Sequence, residues 1–128
     1  MLTIDKLKEF GVDINSGLQR CVNNETLFLR LVSMVPGNDS FNKLYEAVDN
    51  KDYDSAFSAA HSLKGILSNL SINPLLEPVL KITELLRNKT DYDYSSYLKE
   101  IEDKRKVLEE LCKWRYQDIW YLFYINIE

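Results

Sequence analysis

The sequence predicts an all-α protein, an antiparallel four-helix bundle with short additional helices at its N-terminal end. Three observations carry this. Apolar residues recur at helical spacing along the chain, and no period-2 alternation occurs outside the tail. Only four glycines and three prolines interrupt its 128 residues, leaving long stretches open to helix. Turn signals at Pro36-Gly37, Asn50-Lys51-Asp52 and Asn73-Pro74 divide those stretches into long segments with short links.

The elements follow in order. A short helix over residues 3–10 has Leu2, Leu7 and Phe10 on one side and stops at Gly11. Asp13 or Asn15 caps a second short piece bearing Ile14, Leu18 and Cys21. Asn24 is a good N-cap for a helix over 25–35, whose Leu27, Leu29, Leu31 and Val32 are expected to face inward. Asp39 or Ser40 then opens a helix with Phe41, Leu44, Tyr45 and Val48 at i, i+3, i+4 and i+7. The best-defined helix spans 53–70. Asn73-Pro74 marks the next start, with Leu75, Val79, Ile82 and Leu86 on its apolar face; Pro78 either sets the true start or kinks the first turn. Asp91 or Asp93 opens the last long helix, which carries Tyr97, Ile101, Val107, Leu108 and Leu111.

Residues 1–112 are thus read as the bundle and 113–128 as an aromatic tail of unknown role. The tail holds both tryptophans and must be covered by the bundle or by a partner. It is compatible with a continued helix or a short strand.

Composition narrows the function. The net charge is −4, with 20 acidic and 16 basic residues well mixed, so no basic stripe points to nucleic acid. No apolar run reaches the roughly 18–20 residues that cross a bilayer. The N-terminus lacks the apolar core of a signal peptide, making the cytoplasm the expected location. Cys21 and Cys112 with a single histidine cannot build a Cys/His zinc site, and free thiols are expected.

That histidine, His61, lies in the 53–70 helix. With Ala56 at zero on a helical wheel, Ala60, Leu63, Leu67 and Leu70 fall within about 40° and form the core stripe. Lys64 falls near about 80°, Ser68 about 120°, His61 about 140° and Gly65 about 180°. His61 therefore points away from the core. A lone histidine is commonly a surface residue without a role, but a mid-helix glycine costs about 1 kcal/mol against alanine. One turn past an outward histidine, Gly65 reads as clearance for an approaching molecule. A neutral imidazole is a nucleophile near pH 7. The Lys64 ammonium, one turn on, can offset the charge of a phosphoryl group, and Ser68 can donate a hydrogen bond. Phe57 and Ser58, one turn earlier, join Gly65 and Ser68 in the expected docking surface. No second histidine or base–orienter pair is available for a hydrolytic triad or a metal centre, so no cofactor or metal is expected.

The stretch Ala60-His61-Ser62-Leu63-Lys64-Gly65 is similar to the signature of histidine-containing phosphotransfer (HPt) domains. The likeness continues through Asn69-Leu70, Asn73-Pro74-Leu75 and residues 82–87. Upstream it takes in Gly11-Val12-Asp13, Gly17-Leu18, Arg20, Asn24-Glu25 and residues 45–52, covering roughly residues 10–112. The resemblance implies that His61 accepts a phosphoryl group, Lys64 steadies it, and Gly65 lets a receiver domain approach. It implies a phosphocarrier rather than an enzyme: no ATP site, no kinase activity, and magnesium and acceptor aspartate supplied by the partner. Response-regulator receiver domains are the implied partners, with a hybrid histidine kinase as a further candidate. Ser71 departs from the glycine common in that family, so a different turn is expected there, and the aromatic tail has no counterpart. Two other readings stand beside phosphotransfer: an HPt-like module that docks a receiver without accepting phosphate, and a plain structural bundle. The intact His61-Lys64-Gly65 set argues against the first, and the mid-helix glycine against the second.

Overall fold

The computed structural model describes residues 1–114 and 116–127, which form eight α-helices and no strand. Side chains set most of the starts. In α1 (Ile4–Phe10) the Thr3 hydroxyl accepts from the Lys6 amide, and Gly11, at φ 110°, ends the helix. Asp13 caps α2 (Ile14–Arg20) by accepting from the Ser16 amide, and Asn24 caps α3 (Glu25–Ser33) by accepting from Leu27. Between these two helices Val22 and Asn23 take φ of 51° and 55°, a left-handed conformation that a β-branched residue rarely adopts. Before α4 (Ser40–Asp49), it is Asn38 whose side chain accepts from the Ser40 amide; Asp39 occupies the cap position without a cap bond.

The Asp52 carboxylate accepts from the Ser55 amide and hydroxyl, capping α5 (Tyr53–Asn69). Those bonds hold the carboxyl below the usual range. Helix α6 (Asn73–Arg87) begins ahead of Pro78, which is buried inside it, and Asn73 is its first residue rather than its cap. Asp93, one residue outside the cap position, accepts from the Ser95 amide at the start of α7 (Ser95–Cys112). At Lys113 the backbone becomes extended (φ −69°, ψ 139°), and the tail forms a separate helix, α8 (Tyr116–Ile127).

α5 packs between α4 and α6, and α6 against α7; α1 touches α2 and α7, and α2 touches α3. α4 and α7 are tied by polar bonds. The Tyr45 hydroxyl donates to Glu102 at 2.7 Å, and Arg105 donates to the Pro36 carbonyl at 2.8 Å and to Asn42 at 3.2 Å. Burial and Glu102 push the Tyr45 phenol far above its ordinary range.

The core contains the α5 stripe: Ala56, Ala60, Leu63 and Leu67 are all fully buried, with Leu70 nearly so. Each fully buried leucine contributes roughly 1.5–3 kcal/mol through removal of its side chain from water. One expectation needs correction. In α3 the inward residues are Phe28 and Val32, while Leu27 and Leu31 are exposed and Leu29 is half-buried. The helix turns this face inward because Phe28 fits against Gly17, where an added Cβ would lie 2.5 Å from the ring. In α7 Val107 is exposed and Leu111 half-buried, Leu108 alone being fully buried in that turn. Cys21 and Cys112 are free thiols. Among the described residues no helix is long and apolar enough to cross a membrane.

Candidate functional site

Because the α5 stripe points into the core, the opposite side of that helix meets solvent, and His61 lies on it, exposed. Phe57, one turn earlier and half-buried, stacks on the imidazole with ring centroids 5.8 Å apart and planes inclined at 26°. The Arg87 guanidinium, at the end of α6, lies 5.1 Å from the Phe57 ring centroid. Arg87 also meets Glu84 at 3.5 Å, an exposed pair of little energetic weight. The ring contact leaves the imidazole nitrogens unengaged: among the described residues His61 makes no hydrogen bond.

Helical phase arranges the neighbours around it. Counting about 100° per residue, Phe57 and Lys64 fall on one flank of His61 and Ser58 and Gly65 on the other. Lys64 is half-buried and forms no ion pair among the described residues, so no carboxylate competes for its ammonium. Gly65 is exposed, and a Cβ built on it would meet nothing within 4 Å. Space for a side chain exists there, and the chain leaves it empty. Ser58 opens toward α4, lining a groove of about 530 Å³ with Lys43, Glu46, Ser55 and Ser62. Ser68 is half-buried, two turns past His61, with no side-chain hydrogen bond among the described residues. The structure therefore brings His61, Phe57, Lys64 and Gly65 together on one face, with Ser58 turned toward the α4 groove.

At the end of α5, Ser71 takes φ 56°, the left-handed conformation for which glycine is best suited. Its hydroxyl accepts from Arg20 at 2.8 Å and donates to Ser16 at 2.9 Å, bonds that help a serine hold this position. Arg20 and Ser16 of α2 thereby brace the end of the histidine helix.

Arg87 is the residue that sequence reasoning missed. It lies on α6, and nothing in the helical wheel of α5 could bring it to Phe57 from another helix. Chemically, an exposed imidazole with a lysine beside it and open space one turn away can accept a group that another molecule delivers. No side chain is hydrogen-bonded to His61 as a second base, and no group of three or more potential metal ligands forms among the described residues. Comparison of the chain with protein-family models, with curated proteins and with solved structures finds no match.

Proposed function

We propose that the protein is a histidine phosphotransfer module, with α4–α7 as its antiparallel four-helix bundle and His61 as the phospho-accepting residue of a phosphorelay. The observation that carries this reading is the outward-facing imidazole in the middle of α5, stacked against Phe57 and flanked by a glycine with open space above it. A ring nitrogen of neutral His61 attacks the phosphorus of a receiver's phosphoaspartate. The N–P bond forms, the acyl-phosphate P–O bond breaks, and the partner's aspartate leaves as a carboxylate. Lys64 offsets the charge on the transferring group, and Gly65 admits the receiver's cleft. Transfer onward to a second receiver is the reverse reaction on another aspartate. In this reading the module works in the cytoplasm and neither binds ATP nor phosphorylates itself.

Incubation with a phosphorylated receiver domain tests the proposal. The expected product is acid-labile, base-stable phosphate on this chain. His61→Gln should accept none while changing stability by less than about 1 kcal/mol, as befits an exposed position. Receiver binding without phosphate transfer to the intact chain would show a docking module instead.

A further inference from the structure

We infer that Arg87 is a positioning residue for His61 and acts through the Phe57 ring; the inference rests on the reading of His61 as the acceptor. Side chains on a helix lean toward its N-terminus, so the imidazole lies over the turn that carries Phe57 and away from Gly65. The two rings stack, with centroids 5.8 Å apart and planes inclined at 26°. One turn the other way, position 65 offers the imidazole no side chain. Its orientation therefore depends on where the Phe57 ring stands.

Two parts of the molecule fix that ring. Phe57 is half-buried and packs against the core, and the Arg87 guanidinium lies 5.1 Å from its centroid. A cation within about 6 Å of a ring centroid is drawn to the electron-rich face of the ring. Arg87 ends α6, so it ties the ring to a second helix, which no neighbour on α5 could do. Direct contact with the transferring group suits Lys64 better than Arg87. The guanidinium is already engaged by Phe57 and by the Glu84 carboxylate at 3.5 Å, whereas Lys64 has no ion pair among the described residues. Arg87 is thus placed to aim the imidazole and Lys64 to meet the phosphoryl charge.

His61 is the only histidine in the chain, so its imidazole C–H resonances can be read without ambiguity. At one alkaline pH they should lie upfield, in the Phe57 ring current, and return toward the free-histidine position in Phe57→Leu. Arg87→Gln should move them part of that way, and Arg87→Lys, which keeps a cation, should leave them nearly in place. Phosphorylation of His61 by phosphoramidate should slow by about 2- to 5-fold in Arg87→Gln, the range that an exposed cation–π contact carries, and recover in Arg87→Lys. The effects should not add: Phe57→Leu combined with Arg87→Gln should be no slower than Phe57→Leu alone. Far-UV circular dichroism identifies any variant that has lost helix, and the remaining ones decide. Resonances or a rate left unchanged by Arg87→Gln overturn the inference. So does a double variant slowed by the product of the single effects, which would give Arg87 its own contact with the phosphoryl group. A wild-type chain that takes no phosphate sinks the reading of His61 as acceptor, while the resonances still decide whether Arg87 holds the ring.

Discussion

Gly17 in α2 and Gly65 in α5 are both helical glycines, and their surroundings are opposite. A Cβ on Gly17 would lie 2.5 Å from the Phe28 ring and 2.8 Å from the Leu70 carbonyl oxygen. A Cβ on Gly65 would meet nothing within 4 Å. At the junction of α2, α3 and the end of α5, glycine lets three segments touch. On the outer face of α5 no contact within this chain requires it. Identical residues thus separate a glycine that packing requires from one that packing does not, and the second supports the proposed docking face.

Substitutions at the two positions can break that contrast. The largest expected effect is on docking: Gly65→Leu should slow phosphate transfer from a receiver by at least ~100-fold, since small misplacements of the reacting atoms cost that much. Phosphorylation of His61 by acetyl phosphate or phosphoramidate, which needs no docking, should change little. Normal transfer from the receiver into Gly65→Leu would remove the assigned role. Next comes Gly17→Ala, which should destabilise the protein by about 1–3 kcal/mol in urea unfolding, the usual range for overpacking. The Leu70 carbonyl is backbone and cannot swing aside as a side chain would, so a neutral result would mean that α2 shifts as a body. Smallest is Gly65→Ala, expected to stabilise by up to about 1 kcal/mol and raise Tm by a few degrees. Destabilisation there would mean that a neighbouring helix needs the glycine and that the two positions are alike after all.

The α5 face was legible because its sequence has contrast. Ala56, Ala60, Leu63 and Leu67 sit at helical spacing among polar and small residues, so the wheel alone separates the core from His61 and Gly65. α3 differs. Leu27, Phe28, Leu29, Leu31 and Val32 span about 200° of the wheel, centred on Phe28 with Val32 beside it and the leucines at the edges, so leaving Phe28 out of the expected face misplaced it. The deciding contact, Phe28 on Gly17, joins two helices and has no local signature. Arg87 escaped notice on the same ground, being set against Phe57 by the packing of α6 on α5. The tail was undecided because a run of aromatic and β-branched residues suits helix and strand alike. Helix caps were read to within one or two residues: Asp13 and Asn24 hold theirs, while Asn38 and Asp93 act from just outside the cap position.

The chain's two tryptophans stand at positions 114 and 120, both more than half exposed and both outside α1–α7. Tryptophan fluorescence, excited selectively over tyrosine, therefore watches α8 and is nearly blind to the helices that hold His61. Phosphorylation of His61 should leave the emission maximum in place. In denaturation, emission and far-UV circular dichroism follow different parts of the molecule. Two midpoints would report the detachment of α8 ahead of the rest, and no intermediate of the helices α4–α7 need be invoked to explain them.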